Sequence, residues 1–374
     1  MMNPQSAQRP GQPVVITAVS GRVPLPNAWS KAWERLFAHR LIIYICVLLL
    51  ACIGAYGYGI RTHGIFACQA DGYGADRYLA DCNVANYADY EHGAFQFDLE
   101  PAVQAAVRNA DVLFLGNSRL QIAFSTAPTA QWFAANPGRY YLMGFGDFGN
   151  SLFEGELLQK IRPHPKVYII DVDHFFERSE PPEVRAVLHD PNALKAYEGK
   201  RFWQPVHQRI CGAFEALCGH QLVVFRSRDT GAYYMEGRSM GQAAPVSYKP
   251  AVDQPLANTS IATAVDFLSQ FTQNACVILT IVPTVDTELG TAKAIASGVG
   301  LPLVTPEIVA GLRTRDGSHL DQPSAQRWAE AFFQVAGPQI RSCLDKRTAA
   351  GGQSQSSTVA TASVQSAGSG TAGR

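Results

Sequence analysis

The sequence predicts an α/β protein: a three-layer sandwich around a five-stranded, mostly parallel sheet, preceded by one transmembrane helix. Three observations carry this. Between residues 105 and 340, short apolar runs alternate with amphipathic stretches, as when helices cross between parallel strands. The runs are continuous rather than alternating, as strands covered on both faces must be. Upstream, "LIIYICVLLLACIGAYGYGI" (41–60) has no charged residue and is bounded by Arg40 and Arg61.

The elements follow in chain order. Residues 1–40 read as a short cytoplasmic tail carrying Arg9, Arg22, Lys31, Arg35 and Arg40. As a helix, residues 41–60 span roughly 30 Å, the thickness of a bilayer's hydrocarbon core. A buried core helix seldom has so long an apolar run, and a cleaved signal peptide seldom follows so long a polar leader. The basic residues before the span put the N-terminus in the cytoplasm and everything after residue 61 outside it.

Cysteine usage agrees. Cys46 and Cys52 lie in the span; Cys68, Cys82, Cys211, Cys218, Cys276 and Cys343 are an even number in an oxidising compartment. The close pairs 68/82 and 211/218 are the preferred local bridges, leaving 276 with 343, as one choice among about fifteen connectivities. No CxxC spacing suggests a zinc ribbon or thioredoxin-like motif. Lys+Arg and Asp+Glu are both 31, so no global charge bias points to nucleic acid.

Residues 61–104 form an extracytoplasmic linker or extension. The α/β domain then runs over 105–345, with strands expected at 111–116, 139–144, 166–172, 276–282 and 301–305. Helices are expected around 128–136, 151–161, 259–273 and 287–297. A last helix starts at Asp321, which can cap it, with Pro323 in its first turn and Gly337 as its terminator. Residues 174–258 read as an insertion that either shapes a cleft or packs elsewhere. The Gly/Ser/Thr/Ala-rich stretch 346–374 reads as a disordered tail.

The first strand of this domain, "DVLFLGNSRLQIAFS" (111–125), runs into Gly116-Asn117-Ser118-Arg119. Strands often end in such turns, but open α/β folds also place their chemistry at the carboxyl tips of parallel strands. A serine nucleophile needs a base, and the base needs an orienting carboxylate. "RDGSHLDQPSAQRWAEAFF" supplies both just before the last helix: Asp316 can reach Nδ1 of His319 while Nε2 faces Ser118. Read alone, the same residues are an Asp-Gly turn and a surface histidine.

Together these blocks resemble the SGNH/GDSL hydrolase superfamily, over roughly residues 108–340 with the insertion excluded. The first block reads Gly116-Asn117-Ser118-Arg119, with Asn in place of the usual Asp. The last is Asp316-Gly317-Ser318-His319. The resemblance implies an SGNH/flavodoxin-like fold with Ser118 as nucleophile, His319 as general base and acid, and Asp316 as its orienter. It puts the backbone N–H groups of Ser118 and Gly146, the latter in "GFGDFG", in an oxyanion hole. The Asn side chain that the third block normally supplies is replaced by Asp173, in "IIDVDHFF". An ionised carboxylate cannot donate to an oxyanion, and losing one such donor costs about 10²–10³ in rate. Either Asn150 substitutes, or Asp173 is kept protonated, or catalysis is weak or absent.

The reaction so implied is acyl transfer without a cofactor, by an esterase or O-acyltransferase acting on acyl, notably acetyl, esters of a cell-surface carbohydrate. The implied place is a bacterial inner membrane, single-pass, with the main domain periplasmic. The alternative is a catalytically silent SGNH-fold subunit that binds partners in envelope polysaccharide assembly. No nucleic acid is expected.

Other clusters are expected to be structural. Asp171, Asp173 and His174 are not expected to hold a metal, because neighbours on a strand point to opposite faces. Glu154 and Glu156 are expected to be solvated. Trp132, Phe133, Phe175, Phe176 and Trp203 either line a carbohydrate platform or belong to the core.

Overall fold

The computed structural model describes residues 27–62, 64–83, 87–146, 149–236, 243–307 and 309–359. The tail before residue 27 and the end of the C-terminal stretch, 360–374, lie outside these residues. The chain divides into two compact units, Met1–Tyr58 and Gly59–Arg374.

Helix α1 (Asn27–Thr62) begins earlier than expected, and its segment Phe37–Gly59 is long and apolar enough to cross a membrane. The large apolar side chains from Phe37 to Tyr58 are exposed, as a lipid-facing helix requires. Cys46 and Cys52 are free there.

After a 3-10 turn (Gly64–Ala67) come β1 (Arg77–Cys82), β2 (Ala88–Asp89), α2 (Glu91–Gln96) and α3 (Pro101–Arg108). Next follow β3 (Val112–Asn117), α4 (Ser118–Phe124), α5 (Ala127–Ala135), β4 (Tyr140–Phe145), α6 (Ser151–Ile161) and β5 (Val167–Asp171). The insertion contributes α7 (Pro182–His189), α8 (Ala193–Ala213), β6 (Val223–Ser227), β7 (Tyr233–Glu236) and β8 (Ala244–Pro245). The chain closes with α9 (Gln254–Phe271), β9 (Cys276–Thr280), α10 (Leu289–Gly298), β10 (Arg313–Thr314) and α11 (Gln322–Val359).

The central sheet has the order β4-β3-β5-β9, every pair parallel. Alternate side chains feed two cores. Leu113, Leu115, Tyr168 and Ile170 pack with residues of α3, α6, α9 and α10. Val112, Phe114, Val167 and Ile169 pack with α4, α5 and α11, where Trp328, Phe332 and Phe333 form the expected apolar stripe. Burial on both faces explains the unbroken apolar runs.

The sheet has four strands rather than five. The run 301–305 makes a single bridge, Leu303 to Leu279. Pro302 lacks an N–H, and Pro306 follows, so the ladder cannot extend. The last helix also departs from expectation. Asp321 Oδ1 does accept from the Ser324 N–H (2.8 Å), but Gly337 does not end the helix. A Cβ there would lie 2.9 Å from the Trp132 indole nitrogen, so this glycine makes room for an aromatic neighbour. α11 continues to Val359, into the stretch expected to be disordered. Lys346 to Ala350 contains no residue that breaks a helix.

The insertion and the 61–104 segment build one structure. β6 and β7 join β1 and β2 in an antiparallel sheet, β2-β1-β6-β7. Cys68–Cys82 and Cys211–Cys218 brace this part, and Cys276–Cys343 joins β9 to α11. These are the three preferred pairings.

Arg226 of β6 connects the two sheets. It is fully buried, pairs with Glu91 Oε2 (2.8 Å) and donates to the Leu142 carbonyl (2.6 Å). Its guanidinium lies over the rings of Phe95 and Phe145, 4.6 and 4.9 Å from their centroids. Tyr233 also donates to Glu91 Oε2 (2.6 Å).

His207 of α8 is buried where the insertion meets the 3-10 turn. Its Nε2–H donates to the Cys68 carbonyl (3.1 Å), leaving Nδ1 to accept from the Tyr73 hydroxyl (3.1 Å). Burial pushes its pKa down to about 4, although the bond to Cys68 opposes this. Above pH ~6.5 both folded and unfolded chains carry a neutral imidazole. Between there and pH 4 only the unfolded chain takes up the proton, so stability falls with pH by about 3 kcal/mol across the window. Urea unfolding at pH 7 and pH 4.5 checks this. The acid-induced loss is expected to be about 2–3 kcal/mol smaller in His207→Gln than in wild type. Equal losses would assign the acid sensitivity to other groups.

Candidate active site

Ser118 opens α4 at the carboxyl tip of β3. The tip is shaped by Gly116, whose missing Cβ would lie 3.1 Å from the Cβ atoms of both Asp171 and Leu120. Asn117 then caps α4: its Oδ1 accepts from the Arg119 N–H (2.8 Å), and its Nδ2 donates to the Asp173 carbonyl (2.8 Å). An aspartate could cap but could not donate, which accounts for asparagine at this position.

The second half of the site comes from the loop before α11. Gly317, at φ +89°, takes the left-handed conformation that glycine adopts freely. The chain thereby folds back so that Asp316 Oδ1 accepts from the N–H groups of Ser318 (3.0 Å) and His319 (2.8 Å). This turns the His319 ring onto Asp316 Oδ2 (Nδ1 at 2.9 Å) and leaves Nε2 on Ser118 Oγ (2.8 Å). Ser118, His319 and Asp316 thus form a continuous hydrogen-bonded chain, half-buried and open to solvent on one side. Partial burial pushes the Asp316 carboxyl up, but the bonds and charge of His319 and the two backbone N–H groups outweigh it. Its pKa is held well below the usual carboxylate range.

The expected oxyanion groups are placed differently. Gly146 donates its N–H to Glu91 Oε1 (2.8 Å). Asn150 caps α6, accepting from the Leu152 N–H (3.2 Å), and its Nδ2 donates to the Ser179 carbonyl (2.6 Å). Neither group is therefore directed at Ser118 in this conformation. Asp173 is at the site, but its carboxylate is paired with the Arg119 guanidinium. Position 173 therefore contributes an ion pair rather than a lone anion. The Ser118 N–H remains: as the first residue of α4 it has no carbonyl partner within the helix.

Arg119, unremarked in the sequence, connects the three blocks. Its Nη1 meets Asp173 and its Nε donates to Ser318 Oγ (3.0 Å), next to His319. The signal was its position immediately after Ser118. Glu154 was also misread. It is fully buried and accepts from the Gly116 N–H (3.2 Å), with burial pushing its carboxyl well up. Its spacing to Leu158 and Ile161 puts it on the buried face of α6; Glu156 is exposed as expected.

Asp173 and His174 converge, contrary to the alternation expected of strand neighbours. β5 stops at Asp171, the chain turns, and His174 adopts φ +55°, bringing Nε2 to 3.5 Å from Asp173 Oδ1. The Nδ1 of His174 pairs with Glu177, a contact that raises the ring's pKa. Asp171 is buried beneath, accepting from the Asp173 N–H (3.2 Å). Burial and the neighbouring Asp173 charge raise its pKa well above the usual range, favouring the neutral acid.

Two groups of potential metal ligands lie elsewhere among the described residues. In His207, Cys211 and Cys218 the cysteines are joined as a disulfide, so they are not available as thiolates. In Asp89, Glu91 and His92 the carboxylates already serve Tyr197, Arg226 and Tyr233. Of the five aromatics read as either platform or core, Phe175, Phe176 and Phe133 are buried in the core and Trp132 stacks on Phe333, while Trp203 is exposed on α8.

A cleft of about 740 Å³ is lined by Tyr233, Tyr234 and Met235 of β7 together with Arg315 and Leu320, which flank the Asp316–His319 loop. Arg315 reaches Asp316 Oδ2 at 3.3 Å. The insertion therefore walls a cleft next to the candidate triad. No known family, curated protein or solved structure matches this chain.

Proposed function

We propose that the protein is a membrane-anchored, extracytoplasmic serine esterase or O-acyltransferase of the SGNH type, acting on acyl esters of a cell-surface carbohydrate. The observation that supports it most is the Ser118–His319–Asp316 hydrogen-bonded chain, built from segments 201 residues apart. The carbohydrate, the acetyl group and the periplasmic location come from the resemblance.

In this reading Ser118 Oγ attacks the ester carbonyl carbon while His319 Nε2 accepts its proton. Asp316 keeps Nδ1 protonated and stabilises the imidazolium. Collapse of the tetrahedral intermediate breaks the bond to the alcohol, which His319 protonates as it leaves. Water or a sugar hydroxyl then attacks the acyl-serine by the same steps in reverse. The Ser118 N–H is the donor for the oxyanion, and the Asp173–Arg119 ion pair stands where the resemblance expects an asparagine.

The second reading, a catalytically silent binding subunit for envelope polysaccharide assembly, draws on the engagement of Gly146 and Asn150 elsewhere. Labelling with a fluorophosphonate probe separates the two. The enzyme reading expects wild type to be labelled and Ser118→Ala and His319→Ala to stay unlabelled. An unlabelled, disulfide-intact wild type favours the silent subunit.

A further inference from the structure

We infer that the exposed aromatic face of α8 and the turn after it rests on the bilayer that α1 spans, with Arg201 and Arg209 set against lipid phosphates. This goes beyond the acyl-transfer reading and rests only on α1 as the anchor. Trp203, Val206 and Ile210 recur at helical spacing along one face of α8, and Phe214 follows at its C-terminal cap. Phe202, Trp203, Phe214 and Leu217 are 65%, 47%, 64% and 51% exposed, large apolar side chains at both ends of the second half of α8, with Phe202 and Trp203 in ring contact (5.5 Å between centroids). Arg201 and Arg209 are also exposed, and with Glu198, Phe202, Pro205 and Val206 they line a groove of about 500 Å³ in which the two arginines outnumber the one carboxylate.

Chain connectivity says what covers this patch. Phe66 packs edge-on against Trp203 (6.2 Å between centroids) and against His207 (5.7 Å). It lies four residues beyond Thr62, where α1 ends, so the chain holds it within about 14 Å of that helix end. Phe66 and Ala67 are held against the end of α8: Gly219 donates to the Phe66 carbonyl (2.8 Å) and Gln221 to that of Ala67 (3.2 Å). Cys211–Cys218 closes the turn between them and α8. Aromatic rings flanked by arginines, tied to the first residues after a span, have the composition of a headgroup-level interface.

The test uses the full chain in phosphatidylcholine/phosphatidylglycerol vesicles, with and without bromine on the acyl chains. The Trp203 emission, taken as wild type minus Trp203→Phe, is expected to lose most of its intensity in brominated vesicles. The paired variant Phe202→Glu/Phe214→Glu, altered only at exposed positions, is expected to restore it. Emission equal in the two vesicle types overturns the proposal, as does a face that instead cross-links to a second copy of the chain. Co-flotation with vesicles is scored in parallel. Loss of flotation indicts the anchor, whereas flotation without quenching indicts the docked face.

Discussion

Replacing Asp316 with asparagine is expected to lower turnover of an acetyl ester by about 10⁴-fold while leaving the fold intact. The fold survives because the asparagine oxygen can still accept from the N–H groups of Ser118's partner loop, at Ser318 and His319. Chemistry does not survive, because the second carboxylate oxygen, which receives Nδ1–H of His319 at 2.9 Å, becomes an amide donor. The imidazole then places its proton on Nε2, facing Ser118 Oγ, and cannot accept the serine's proton. Steady-state rates on p-nitrophenyl acetate, with thermal unfolding as a control, check this. A rate within tenfold of wild type would remove His319 from the base role.

The largest stability effect is expected at Glu91. Glu91→Leu leaves the guanidinium of Arg226, which is fully buried, without its counter-charge, and is expected to cost about 3–5 kcal/mol. Burial opposes the charge on Arg226, but the surrounding tyrosines and Glu91 overcome it and raise its pKa. The arginine therefore stays charged rather than shedding its proton. Adding Arg226→Met to the variant is expected to recover most of the loss, since an apolar side chain needs no partner. Urea unfolding of both variants decides it; a double variant no more stable than the single would place the cost at Gly146 and Tyr233, which also bond Glu91.

Local features were legible in the sequence. Asp316 and His319 act within one turn, Ser118 ends a strand written in apolar residues, and Asp321 caps the helix it precedes. Where the reading failed, long-range geometry decided. β1 pairs with β6 across more than a hundred residues, and nothing in either strand names its partner. Gly146 lies on the expected loop, yet a glutamate from α2 takes its N–H. Asp173 reads as a lone charge until Arg119 is seen against it. The fifth strand failed for a local reason that was on display: Pro302 and Pro306 bracket it.

The disulfide pattern bears on how the chain reaches this fold. Past the span, each bridge joins a cysteine to the next one in the sequence: 68 with 82, 211 with 218, 276 with 343. If the residues past the span meet an oxidant in sequence order, each newly arriving thiol finds only one unpaired predecessor. Sequential oxidation then yields the native connectivity directly, and no bridge has to be broken and remade. In that order the third bond forms last, because Cys343 follows Ser118, Asp316 and His319 in the sequence. It is the last covalent step, and it fastens the helix that follows the histidine loop.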